Sequence, residues 1–208
     1  MENVIVLCHN CIKICAEKII YTDPFKLTKS YNDADIIFIT HSHYDHFSPE
    51  DIEKVRKRDT SIVITDDLID KAKEIGFDDS KIIIVEPNKN YIVEGIEFNT
   101  IPAYNTNKQF HPKENNWCGY NIDINGKKYY IAGDTDIIDE AKNVKCDIAF
   151  VPVGGTYTMT ATEAASLVNI IKPQIAVPVH YGSIVGTKED AEKFKNLLDN
   201  DIKCKILM

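Results

Sequence analysis

Apolar positions along this chain fall mostly into short, β-branched runs separated by polar turns, with a helical period in only a few stretches. Val4 to Leu7, Cys11 to Cys15 and Lys18 to Tyr21 alternate, which predicts a hairpin and a third strand. Asp35 to Ile39 is apolar almost throughout, as a strand buried on both faces would be. Ser48-Pro49-Glu50-Asp51 then reads as a helix start: a capping Ser, Pro at the first helical position and acids in the first turn. A charged surface helix over Pro49 to Arg58 follows, then a strand over Ser61 to Thr65. Next comes an amphipathic helix over Asp66 to Ile75, stopped by Gly76. Lys81 to Val85, Tyr91 to Val93 and Ile96 to Ile101 read as strands, the last two joined at Glu94-Gly95. With no helix between them, they predict a meander at the edge of a first sheet.

Pro102 to Gly119 is the longest polar stretch, and an ordered loop of that length is usually functional. A hairpin follows, Tyr120 to Ile124 and Lys128 to Ala132 about Asn125-Gly126. Asp147 to Val151 is a buried strand ending in Pro152-Val153-Gly154-Gly155, a glycine turn open to close approach of a ligand. Thr160 to Ile171 is a helix, Ile175 to Val179 a strand, Lys188 to Leu198 a helix and Lys203 to Leu207 the last strand. The strand-and-helix pattern thus runs twice without a linker. That predicts one α/β (α+β) domain over 1–208, two mixed β-sheets with helices on the outer faces.

Composition narrows the function more than the fold. The chain has 208 residues, 44% hydrophobic and 27% charged, ordinary for a globular domain with a sizeable core. Its formal net charge of −8 argues against sequence-independent binding to nucleic acid. No apolar run approaches membrane-spanning length, and Met1-Glu2-Asn3-Val4 lacks the basic start of a signal peptide, so a cytoplasmic protein is expected. Of the six cysteines, Cys8 and Cys11 have Cys-x-x-Cys spacing, but in a strand–turn–strand setting with no second pair. Reduced, structural thiols are expected.

The candidate chemistry sits after the Asp35–Ile39 strand. Thr40-His41-Ser42-His43-Tyr44-Asp45-His46 places three of the six histidines and a carboxylate in six residues. Imidazole and carboxylate at this density suit a divalent transition metal. In an extended loop His41 and His43 project to one side while Asp45 and His46 turn to the other, a spacing that fits two adjacent metals better than one. His9, at the first hairpin turn, is either a supporting group or simply exposed. Asp23 either aims a carboxylate beside the site or makes only a turn.

His-x-His-x-Asp-His after an apolar strand resembles the signature loop of the metallo-β-lactamase superfamily. Ala132-Gly133-Asp134-Thr135-Asp136 and Pro178-Val179-His180-Tyr181-Gly182 follow in that superfamily's order. The chain is most similar to its small stand-alone metal-dependent hydrolases near ascorbate-6-phosphate lactonase. The resemblance implies an αββα sandwich. It also implies His41 and His43 on one metal, Asp45, His46 and His180 on a second, and Asp134 bridging, with Asp45 and Asp134 catalytic. Two divalent ions follow, zinc first and manganese or iron as alternatives, with occupancy of the second site open. Many members place a histidine where this chain has Asn105, a weaker ligand. His111 is the candidate replacement, or it binds substrate with Lys113. Tyr181 and His111 are candidates for stabilising an oxyanion.

The implied function is hydrolysis of a small ester, lactone or phosphodiester by metal-bound hydroxide. The partners expected are a small-molecule substrate, no nucleic acid, no membrane, and a homo-oligomer as an open option. The alternative is a non-hydrolytic redox or sensor protein of the same fold. The Tyr104–Trp117 loop is expected to close one side of the site, with Tyr104, Phe110 and Trp117 as walls.

Overall fold

The computed structural model describes residues 3–208, so Met1 and Glu2 of the N-terminal stretch read above lie outside the described residues. The chain divides into two compact units, the first ending at Glu86 and the second running Pro87–Met208. Each unit carries one mixed sheet with helices, and helical and strand segments alternate as in an α/β protein.

In the first unit the strands order β1-β2-β3-β4-β5-β6: β1 Val4–Cys8, β2 Cys11–Cys15, β3 Ile19–Thr22, β4 Ala34–Phe38, β5 Arg56–Ile64 and β6 Ile82–Ile84. β1, β2 and β3 pair antiparallel, whereas β3 through β6 pair parallel. Therefore β1, β3, β4, β5 and β6 all run the same way, and their C-terminal ends share one rim. The register fixes that rim, because Cys8 pairs with Cys11, Ile12 with Thr22, and Thr22 with Phe38. His9, Asp23 and the Thr40–His46 loop each begin immediately beyond it. The core is aliphatic, with Ile37, Ile39, Ile52, Ile62, Ile64 and Leu68 wholly buried around Phe47.

The expected helix over Pro49–Arg58 ends early. Helix α1 spans Pro49–Val55, and β5 begins at Arg56, which pairs with Ala34. Thr60 explains the change: its Oγ1 donates to Ala34 O (2.6 Å) and accepts from Lys57 N (2.8 Å), holding the charged segment extended. The end of helix α2 (Ile69–Glu74) matches the glycine stop, Gly76 adopting φ 86°.

The expected edge meander is also corrected. β6 alone completes the first sheet, parallel to β5. β7 (Asn90–Val93) and β8 (Ile96–Pro102) instead open the second sheet, after Pro87, which has no N–H to continue a ladder. That sheet continues with β9 Cys118–Ile124, β10 Lys127–Ile131, β11 Ile148–Pro152, β12 Ile175–Val179 and β13 Lys203–Cys204. β7 to β10 are antiparallel and β10 to β13 parallel, the arrangement of the first unit repeated. The two hairpin turns have the backbone their sequences demand, Glu94 and Gly95 at φ 50° and 85°, Asn125 and Gly126 at 54° and 75°.

A short helix α3, Asp139–Lys142, was not anticipated. α4, Ala161–Ile171, has the Thr160/Glu163 capping box and lays Ala164, Leu167, Val168 and Ile171 into the core with Val151, Ala176 and Phe194. α5 spans Lys188–Asn196, shorter than expected, and the last strand pairs only at Lys203 and Cys204.

Candidate metal centre

In the first unit, the parallel β4 delivers the signature loop to the rim, and a buried carboxylate organises it. Asp23, wholly buried, accepts from Thr40 N (2.8 Å), Thr40 Oγ1 (2.8 Å), His46 Nδ1 (2.8 Å) and Asn10 Nδ2. A carboxylate can only accept here, so His46 carries a proton on Nδ1, and Nε2 is the ring atom that could face an ion. Thr40 Oγ1 also lies 3.0 Å from His41 Nδ1, and His41 Nε2 lies 3.1 Å from His43 Nδ1. The rings of His41 and His46 are 3.9 Å apart between centroids. His9 Nε2 lies 3.1 Å from Asp45 Oδ2, and His46 Nε2 lies 3.7 Å from the same oxygen. His9, Asp45 and His46 each offer a ligand atom, all within 4.8 Å of one another.

Of the two open readings for His9, the exposed one is overturned. His9 stands in the left-handed region (φ 55°), is fully buried and touches Asp45. Asp23 likewise does more than make a turn. Both were candidates in the sequence, but the reach of Asp23 to His46, 23 positions on, follows only from the register of β3 on β4.

In the second unit, β8, β10, β11 and β12 all run the same way, so Asn105, Asp134, Gly154 and His180 follow strands at one rim. His180 Nε2 lies 3.0 Å and His111 Nε2 3.2 Å from Asp134 Oδ2, and all three side chains are buried. His180 adopts φ 59°, a conformation costly for a residue with a Cβ. Gly154 serves this turn. A Cβ there would stand 2.5 Å from His180 O, so the close approach the glycine turn permits is that of the histidine's own backbone.

The long loop is tied down rather than loose. Ala103 N donates to Trp117 O (2.9 Å), Asp136 N to Tyr104 O (3.0 Å), and Thr106 N to Asp136 Oδ2 (2.8 Å). Lys108 pairs with Asp136 at 2.6 Å. Trp117 is buried and meets His111 edge-on, whereas Phe110 is exposed and stands on Tyr157. Asn105 holds His111 within the loop instead of standing free. Lys113 donates to Tyr104 Oη (3.2 Å) and Glu140 Oε1 (3.3 Å) on the exposed side of the loop. Tyr181 packs in the core and donates to Met208 O at 3.4 Å, a packing position.

The donor set suits a divalent transition ion. It consists of buried imidazole nitrogens and carboxylate oxygens, with further carboxylate, hydroxyl or amide groups fixing their ring orientation. The cysteines stay outside it. All six are free, and burial pushes the Cys118 and Cys146 thiols up to about 12. No helix among the described residues is long and apolar enough to cross a membrane.

Comparison with known proteins places the chain in a family. A profile for the β-lactamase superfamily domain matches residues 4–180. A UPF0173 metal-dependent hydrolase of Thermococcus onnurineus is 30% identical over 100% of this chain and 96% of its own. One from Thermoplasma acidophilum is 32% identical over 95% of this chain and 92% of its own. The crystal structure of a protein from Parabacteroides distasonis considered a metal-dependent hydrolase is 32% identical, with a TM-score of 0.81, covering 98% of this chain and 91% of that one. The chain therefore belongs to the metal-dependent hydrolases of the metallo-β-lactamase superfamily.

Proposed function

We propose that the chain works as one hydrolase domain cleaving a small ester, lactone or phosphodiester. Its ions would be held by His41, His43, Asp45 and His46 from the first unit and by His111, Asp134 and His180 from the second. Zinc is the first expectation, with manganese or iron as alternatives. The observation that carries this reading is the convergence of two imidazole nitrogens, those of His111 and His180, on one oxygen of Asp134, at 3.2 and 3.0 Å. One carboxylate oxygen shared by two buried imidazole nitrogens is a donor set that a divalent cation fits.

Divalent ions held there would activate water and neutralise charge developing on the substrate. The chain's own residues divide the remaining work. Asp23 and Thr40 hold the imidazoles of His46 and His41 in place. His9 fixes the Asp45 carboxylate, which would orient the water and take up its proton. The exposed Tyr44 ring, edge-on to Phe25, and the exposed Phe110 offer apolar surface to a substrate. Metal analysis of purified protein tests the reading first, followed by a screen of lactones, phosphodiesters and thioesters on metal-loaded protein. Less than about half an equivalent of transition metal after reconstitution would reject it.

A further inference from the structure

We propose that Asn105 is the positioning residue of the second unit's centre. Its amide fixes His111 in the tautomer that carries the proton on Nδ1 and offers Nε2 as a ligand atom. The proposal rests on reading His111 as a ligand and goes beyond it by assigning what makes it one.

The argument is one of elimination. Asn105 Oδ1 lies 3.0 Å from His111 N and 3.0 Å from His111 Nδ1, while Asn105 Nδ2 lies 3.0 Å from Tyr157 O. A backbone N–H can only donate and a backbone carbonyl can only accept. The amide is therefore oriented unambiguously, with its oxygen on His111 and its nitrogen on Tyr157. An amide oxygen has no proton, so the proton shared with the ring belongs to His111 Nδ1. In the neutral ring the other nitrogen, Nε2, carries the lone pair, and it lies 3.2 Å from Asp134 Oδ2.

Both ends of Asn105 are consumed in this way, which leaves it no lone pair aimed outward and removes it as a ligand in its own right. The remaining contacts reinforce the clamp. Asn105 N donates to His111 O at 2.8 Å, so the chain from 105 to 111 closes on itself through backbone and side chain together. Trp117 stands edge-on to the imidazole, with ring centroids 5.8 Å apart. The bond to Tyr157 O ties the loop to the segment after β11, where Phe110 and Tyr157 meet at 4.7 Å between centroids. A histidine on a long polar loop, nine residues past its strand, would otherwise lose several rotamers' worth of entropy on binding an ion. Asn105 removes that loss in advance.

The test uses the full chain and two readouts besides turnover: zinc affinity by chelator competition, and the tautomer of His111 from imidazole 15N shifts in metal-free protein. Wild type should show His111 protonated on Nδ1. Asn105→Ala should lose that preference and bind zinc about 10- to 100-fold more weakly. Asn105→Asp, which keeps an acceptor on both His111 donors but gives up the bond to Tyr157 O, should retain the tautomer and bind zinc more tightly than Asn105→Ala. The double variant Asn105→Ala/His111→Ala should bind zinc no more weakly than His111→Ala alone, because one residue acts through the other.

A neutral His111 protonated on Nε2 instead of Nδ1 in wild type overturns the proposal, as does additivity in the double variant. Unchanged affinity in Asn105→Ala beside a weakened His111→Ala overturns the proposal alone. Unchanged affinity in His111→Ala removes the ligand reading and the proposal with it. Should Asn105→Ala fail to fold, the His111 tautomer in wild type and in Asn105→Asp still decides the matter.

Discussion

Asp23 shows how one carboxylate can set the chemistry of a loop that begins 17 residues later. It accepts two bonds from Thr40 and one from His46, all at 2.8 Å and all buried. Asp23→Asn would place an NH2 group against donors, because only one amide oxygen remains to accept. The buried donors left over should cost about 1–3 kcal/mol of stability, read from urea unfolding. His46 would also lose the partner that fixes its tautomer, so metal affinity should fall about 10- to 100-fold in chelator competition. A variant with unchanged affinity would show that His46 needs no such partner. Lys113 makes the contrast: its amine bonds Tyr104 and Glu140 on an exposed loop face, so Lys113→Ala should leave metal content unchanged.

Elements are held to these residues by contacts that leave little slack. Gly119 lies in β9 opposite Ile101, and a Cβ there would stand 2.5 Å from Ala132 O and 2.6 Å from Ile131 O. Both obstacles are backbone at the end of β10, the strand that carries Asp134, so they cannot rotate away. Gly119→Ala should cost about 3 kcal/mol in equilibrium unfolding and weaken metal binding through the displaced strand end.

Helix α1 is anchored differently. Burial pushes the Asp51 carboxyl up, but bonds from Leu27 N, Lys54, Ser48 and Lys26 N outweigh it and hold the group below its ordinary value of 3.8. Because the folded carboxyl titrates below the unfolded one, its stabilisation is present above that ordinary value. It is lost as pH falls through the lower folded value. Asp51→Asn should therefore be less stable than wild type at neutral pH, and the gap should close below about pH 4 in unfolding measured against pH. A gap independent of pH would mean that the carboxylate's charge contributes nothing.

Across the whole chain, what the sequence disclosed depended on the range of the cause. Strands with an unbroken apolar run or a two-residue turn were legible because local sterics decide them, as at Asn125-Gly126. The placement of the signature loop, Gly133-Asp134 and His180 at strand ends was legible because each follows a buried apolar run. The early end of α1 was not, since it turns on Thr60 reaching the carbonyl of Ala34, 26 positions away. Nor was the transfer of β7 and β8 to the second sheet, because pairing partners are chosen by tertiary context. What Asp23 and Asn105 bond to was hidden for the same reason.

Charge was legible as a total. A net charge of −8, with only two arginines, both in Arg56-Lys57-Arg58, predicts no retention on heparin at physiological salt. Retention there would restore nucleic acid as a partner class.

Metal should count in the stability of the folded chain as well as in its activity. In the second unit the side chains that would hold it are buried and meet only in the folded state, His111 and His180 on Asp134 at 3.2 and 3.0 Å. An unfolded chain scatters these groups into water, where imidazole and carboxylate bind a single ion weakly. An ion that binds the folded form alone, at about 100 times its Kd, adds roughly 2.7 kcal/mol. For a chain of this length that corresponds to a rise of about 5–11 °C in Tm. Thermal unfolding of chelator-treated protein, repeated with zinc, manganese or iron(II), should show this rise with at least one ion and lose it when chelator is restored. Asp134→Asn should reduce the rise, because it weakens the oxygen on which both imidazoles converge, while Lys113→Ala should leave it intact. If none of the three ions raises Tm in wild type, the carboxylate–imidazole clusters are structural hydrogen-bond networks, and the assignment of metal to these residues fails.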